Sequence, residues 1–302
     1  MSHQLTVLLV VAVGSQLALQ PPLNSGLGRS TGKLAASLIS FLVGLALLLV
    51  ICLVSGDLSR LSSIGDAPLP TVFGGLIGAT YVATSTVMIS RIGAGAVAAA
   101  TIAGQLSSSL LIDDFGWFGV DTIPITWLRV LGALLLLAGT ALVVHRKLYA
   151  EDAQGAGRTA MIAIMGVAVA GFLVGFQHPM NAELADHVGG LDSALVNFIT
   201  GTLVLAVIVL ASGQAGGLAR VTEARWYYLL GGFIGVITVV AALTAVNTIG
   251  DASLTAAIVT GLLLSSVVLD RAGAFGLEVR SITPRRVIGV ALLIAGTLLT
   301  VS

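Results

Sequence analysis

Charge is what this sequence has least of. Only 9% of its 302 residues are Asp, Glu, Lys or Arg, and the 14 acidic and 14 basic side chains cancel. A soluble globular domain carries about 25% charged residues. So few charges cannot clothe a water-facing surface, and the chain is expected to sit in lipid, with the bilayer as its main partner. No basic run offers itself to nucleic acid. The single cysteine, Cys52, excludes a disulfide within the chain. The four histidines, His3, His145, His178 and His187, are scattered and form no HExxH, so no metal or other cofactor is expected. The opening Met1-Ser2-His3-Gln4 has no Lys or Arg and is unlike a signal-peptide n-region, so the first apolar segment is expected to be retained.

Apolar runs are what the chain has in quantity: 57% of it is hydrophobic, and 37 residues are glycine. A membrane-spanning helix needs roughly 20 apolar residues. Ten runs come close, near Leu5–Pro22, Leu34–Val54, Leu69–Ser90, Ala94–Ile112, Ile125–His145, Thr159–His178, Leu191–Ala211, Trp226–Asn247, Ala252–Leu269 and Arg286–Val301. Connections are short, the longest polar joint being Arg146 to Gly157. The expected fold class is an all-α membrane protein of ten transmembrane helices.

The chain also repeats itself. Gln20-Pro21-Pro22-Leu23-Asn24 returns as Gln177-His178-Pro179-Met180-Asn181, at an offset of 157 residues. The same offset joins Gly14 to Gly171, Phe41 to Phe198, Gly44 to Gly201 and Gly74-Gly75 with Gly78 to Gly231-Gly232 with Gly235. It also joins Gly104 to Gly261, Asp113 to Asp270, Arg129 to Arg286 and Gly139-Thr140 to Gly296-Thr297. Glycines and polar residues are a minority in apolar helices, so their coincidence weighs more than matched leucines. The expected division is a five-helix repeat over residues 1–150 and a second over 151–302.

Twelve of the fourteen Lys and Arg fall in loops after odd-numbered runs; only Arg60 and Arg129 lie on the other side. The positive-inside rule then puts those loops in the cytoplasm and both termini outside, in a cytoplasmic (inner) membrane. Trp117 and Trp127 would anchor the outer face and Trp226-Tyr227-Tyr228 the inner one. Five spans per repeat is odd, so the second copy must enter upside down. Inverted repeats are typical of secondary transporters, in which one half rocks against the other around a site near the midplane.

The run Gly74-Gly75-Leu76-Ile77-Gly78, then Gly104-Gln105-Leu106, Leu111-Ile112-Asp113 and Phe115-Gly116-Trp117-Phe118-Gly119, resembles the YdcZ-like family. Leu128-Arg129 and Leu131-Gly132-Ala133 continue the likeness. That family is a branch of the drug/metabolite transporter superfamily, and its members resemble one five-helix half. This chain resembles two such halves fused, although Gly261-Leu262 lacks the glutamine of Gly104-Gln105. The resemblance implies a transporter or exporter of small molecules, with helices one, three and four of each half walling a central cavity.

Several residues are candidates for that cavity. Pro21-Pro22 and Pro179 remove backbone donors. They either end helices one and six or kink helices that continue to Asn24 and Asn181. In the second case the freed backbone groups would face a cavity or a solute. Gln20, Asn24, Gln177 and Asn181 can donate and accept, which suits a neutral or zwitterionic solute. Tyr81, Gln105 and Asn197 complete the polar positions expected to face the interior. Asp113 and Asp270 are the paired carboxylates at helix ends. They are either pseudo-symmetric gates or a cap contact shared by both copies. His178, which has no symmetry mate, is the further gate or coupling candidate. Asp251 reads most simply as an N-cap.

The stretch Gly26-Leu27-Gly28-Arg29-Ser30-Thr31-Gly32-Lys33 imitates a phosphate loop. It follows no strand, and Leu34 stands where Ser or Thr is required, so ATP hydrolysis is not expected.

The leading expectation is a secondary transporter or exporter of a small neutral or zwitterionic metabolite. No acid falls mid-span to hold a permanent cation. A non-transporting membrane helper and an intramembrane enzyme are the alternatives. An enzyme would need a cluster of reactive groups at one depth that the sequence does not display. The chain could act as a monomer or a homodimer.

Overall fold

The computed structural model describes residues 2–55, 57–149, 157–272 and 283–301. Its α-helices are α1 (His3–Leu17), α2 (Gln20–Thr31), α3 (Lys33–Ser55), α4 (Gly74–Phe115), α5 (Trp127–Tyr149), α6 (Gly157–Val188), α7 (Gly190–Ala211), α8 (Leu230–Ile249), α9 (Asp251–Ala272) and α10 (Pro284–Val301). Short 3-10 segments at Asp57–Asp66 and Leu69–Phe73 precede α4, and their counterparts at Ala215–Glu223 and Trp226–Leu229 precede α8. There is no strand among the described residues. Seven described segments, with α1 and α2 together forming one of them, are long and apolar enough to cross a membrane. The polar joint over residues 150–156 lies outside the described residues.

Helix boundaries differ from the apolar runs at two places, each for a physical reason. The first concerns the prolines. Gln20 begins α2 after a turn at Ala18–Leu19, and Pro21-Pro22 fall in its first turn, where missing N–H donors leave no hydrogen bond unmade. In the second half Pro179 sits inside α6, which runs on to Val188. It withdraws a donor from the Gly175 carbonyl without stopping the helix. The polar ends Asn24 and Asn181 are therefore helical, and helix continues a further turn or more beyond them. Both helices stop at a glycine. Gly32 has φ 87 and ψ 153, and Gly189, 157 residues later, has φ 92 and ψ 158, a conformation that only glycine adopts without strain.

The second place is α4, which contains both the third and the fourth apolar run. Gly74 and Gly78 face Asn181 and Gln177, so there the chain runs antiparallel to α6. Thr101 and Ser108 face Gly171 and Gly175, so there it runs parallel. A straight helix from Gly78 to Gly104 would span about 39 Å, whereas their contacts on α6, Gln177 and Ala168, are only about 14 Å apart. The chain must therefore turn back on itself within α4. The second half makes the corresponding break openly, at Gly250 (φ 76) between α8 and α9.

Packing crosses between the halves, and it does so in matched pairs. A methyl group on Gly14 would strike Ile258, and one on Gly171 would strike Thr101, the same contact displaced by 157 at both ends. Gly104 meets Ala168 and Phe172 while Gly261 meets Val11 and Ser15. Gly132 faces Gly296 and Gly139 faces Gly289, so α5 and α10 run antiparallel. Gly44 lies against Phe198 and Gly201 against Phe41, so α3 and α7 do too, with the two rings 5.3 Å apart between them. Without water to drive helices together, association depends on small residues that let backbones touch, and these glycines supply them. The largest buried cluster draws on α1, α3, α4 and α6 to α9, with Leu48, Ile112, Leu195, Val246 and Leu254 inside it. Outward, Leu8, Leu53, Val54, Leu203 and Leu210 stand exposed as a lipid-facing skin.

Candidate functional site

Two amide clusters occupy equivalent places. Gln177, Asn181 and Asn197 gather against Gly74 and Gly78, where a side chain on either glycine would collide with them. Gln177 Nε2 donates to Asn197 Oδ1 at 3.1 Å. Asn181 is buried, and its Oδ1 makes no hydrogen bond in the structure. The counterpart is Gln20 and Asn24 against Gly231 and Gly235. Gln20 Nε2 donates to the Gly231 carbonyl at 3.1 Å, and Ser40, at the position equivalent to Asn197, donates to Asn24 Oδ1 at 2.5 Å. Each cluster therefore ties the broken or kinked first helix of one half to the third helix of the other. Tyr81 is half-buried beside Thr101, and Gln105 is buried on α4. Neither belongs to these clusters.

Asp113 stands at the end of the bundle that also holds His3. It is fully buried and accepts the backbone amides of Asp251 at 2.7 Å and Ala252 at 3.1 Å, capping α9 from across the molecule. Its Oδ2 is paired with Arg129, whose other guanidinium nitrogen donates to the Ile123 carbonyl at 2.8 Å. An acid at a helix N-terminus is favoured by the dipole there, and the arginine neutralises what remains. One of the two readings was a loop or cap contact shared by both copies, and Asp113 makes such a contact in the first. The Asp270 side chain lies outside the described ones.

Asp251 does not cap α9, because Asp113 has taken that role. Its own carboxylate is fully buried, makes no hydrogen bond in the structure, and lies 3.5 Å from His178 Nδ1. Sequence reasoning missed this pair. The two residues are 73 positions apart, and at the 157 offset they correspond to Pro21 and Ala94, so neither is repeated. On the same helix as His178, Phe176 stacks with Trp117 at a centroid distance of 5.8 Å, and Phe118 meets the same ring edge-on at 6.1 Å. Phe118 holds φ 59, a left-handed backbone that an aromatic residue adopts only against strain.

Two cavities complete the picture. One of about 430 Å³ opens between α1 and α8 at the His3 end, lined by Thr6, Leu9, Val10, Val13, Ala241, Thr244, Ala245 and Thr248. The other, of about 330 Å³, lies at the opposite end among Gly26, Arg29, Ser30, Arg220, Glu223, Ala224, Arg225 and Tyr228. There Arg225 donates to the Tyr227 hydroxyl at 3.0 Å. Neither cavity is lined by the amides.

Comparison with known proteins bears on both fold and role. The model of a family described as "Putative inner membrane exporter, YdcZ" matches twice, over residues 5–142 and again over 162–299. No curated protein matches the chain. A solved structure described only as "Crystal structure of protein" is similar in fold, with TM-score 0.65 and 17% identity, covering 98% of this chain and 95% of the other.

Proposed function

We propose, on the premise that this chain belongs to the YdcZ family of inner membrane exporters, that it is a secondary transporter built from two inverted five-helix repeats, residues 1–150 and 151–302. A multi-pass inner membrane location follows from the family and the apolar helices. Ten spans, with both termini outside, fit a chain that reverses within α4 and a second half whose α7 and α10 run opposite to α3 and α5. The bilayer surrounds the bundle, and a small solute is its cargo. The His3 end is then the outer end.

One observation carries the substrate reading. Each half offers the same amides, Gln20 with Asn24 and Gln177 with Asn181, at a broken or kinked helix and against a glycine pair of the other half. Irregular or polar helix at membrane depth is tolerated where it lines a cavity or meets a solute. The amides bind a neutral or zwitterionic metabolite as the halves rock apart, with Tyr81, Gln105 and Asn197 on the same path. Asp113, Asp270 and His178 belong to the gating apparatus. The present hydrogen bonds of Gln20, Asn24 and Gln177 to the protein itself describe a closed arrangement. The same bonds also favour a second reading, a helper subunit with no solute path.

A thermal-shift screen of the purified protein against amino acids, sugars, nucleosides and amphipathic drugs separates the two. The transporter reading expects a stabilising hit that Gln20→Ala and Gln177→Ala both abolish. Stabilisation unchanged by either substitution would place the site elsewhere, and no hit together with no flux in proteoliposomes would favour the helper.

A further inference from the structure

We infer that His178 and Asp251 form a site for one exchangeable proton, taken from and returned to the outer water, that holds the outer end of the bundle shut. The inference rests on the transport reading for its purpose, and on the following geometry for its existence.

Asp251 is fully buried, and neither carboxylate oxygen has a hydrogen bond in the structure. An isolated carboxylate is expensive to remove from water, so the site must provide a positive charge or a proton. The amide dipoles at the start of α9 give partial help. Asp113 gives none, being negative itself and already engaged by Arg129 and two α9 amides. Only His178, with Nδ1 at 3.5 Å, can complete the charge balance, and it does so only when protonated. The histidine lies on α6 and the acid on α9. A protonated pair therefore draws those two helices together, and an unprotonated pair leaves a buried charge facing a neutral ring.

The other charged groups at this end do not substitute. On elements packed against α6 they are Asp113 and Asp114 of α4, the first bound to Arg129 of α5 and the second accepting the Ile125 amide, Asp192 of α7, and Arg60 and Asp66 of the 3-10 segment at Asp57–Asp66, while α1, packed against α9, brings His3. On α6 itself they are Glu183, Asp186 and His187, all one turn or more beyond His178. The described residues of α8 and of the 3-10 turn at Trp117–Gly119 bring none. The equivalent places at the inner end hold Pro21 and Ala94, so this pair exists at one end only. A proton arriving from outside, taken up by the imidazole of the open state and paired with Asp251 on closure, shuts that end. Its loss reopens it.

Trp117 reports on this end of the bundle, since its ring stacks on Phe176 of α6, the helix that carries His178 and would shift against α9. In the full-length protein carrying Trp127→Phe and Trp226→Phe, reconstituted in nanodiscs without any solute, Trp117 emission should show a one-proton transition as the pH is varied. His178→Gln and Asp251→Asn should each remove it. Asp251→Glu should keep it with a displaced midpoint, which guards against the case in which the first two variants fold poorly. A transition absent from the parent, present in both neutralised variants, or unmoved in Asp251→Glu overturns the proton site. Because no transport is measured, such a failure leaves the exporter reading standing, and loss of solute flux alone leaves the proton site standing.

Discussion

The two ends of the bundle are built from the same parts and yet differ in chemistry. At the His3 end a buried Asp113–Arg129 pair caps α9, an acid–histidine pair lies beside it, and Trp117 stacks on Phe176. At the opposite end Arg286 is buried, as Arg129 is, and exposed arginines, Arg220 beside Glu223 and Arg225 beside Tyr227, stand around an open cavity. What repeats is the skeleton: glycines at helix crossings, amides at broken or kinked helices, and an acid and an arginine at the last crossing. What does not repeat is His178, Asp251, Trp117 and Phe176, whose places in the other half hold Pro21, Ala94, Ala274 and Leu19. Duplication explains the first set. The second set is where one end has acquired a property the other lacks.

The clamp tests that comparison hardest. Asp113→Ala leaves Arg129 buried without its partner and should cost about 3–5 kcal/mol, read by denaturant or thermal unfolding in detergent. Asp270→Ala should cost a similar amount if the inner end is clamped in the same way, and a negligible effect there would break the symmetry. Next come the crossings. Gly104→Val drives a side chain into Ala168 and Phe172, and Gly261→Val does the same to Val11 and Ser15. Each should lose about 1–3 kcal/mol, with the two losses alike. Gln20→Ala and Gln177→Ala remove one interhelical hydrogen bond each and should cost about 0.6 kcal/mol apiece, far less than their expected effect on solute binding. At the bottom of the scale, Glu223→Gln breaks an ion pair with Arg220 that is more than half exposed, and thermal unfolding should not register it.

Much of this architecture could be read from residues alone, and the reason is local. Apolar run length reports spans one at a time, and a fixed offset between rare residues reports duplication without knowledge of any contact. The continuation of α6 through Pro179 was open because a proline's effect depends on what satisfies the carbonyl it abandons. The cap on α9 was visible only as one of two meanings of Asp113, since its partners Asp251 and Ala252 are more than 130 residues away. Asp251 was misjudged for the same reason. Its place before an apolar run suggests a cap, but another residue already fills that role in space. His178 stood out by having no mate, yet its partner across the helices left no trace in spacing or periodicity.

Everything above depends on opposite orientation of the two halves. Asp66 and Glu223 are equivalent at the 157 offset, and both are exposed. In a Cys52→Ser background, Asp66→Cys and Glu223→Cys should be made singly and treated with a membrane-impermeant maleimide in right-side-out membrane vesicles. The account predicts labelling of the first and protection of the second until the membrane is opened; labelling of both from one side would contradict it.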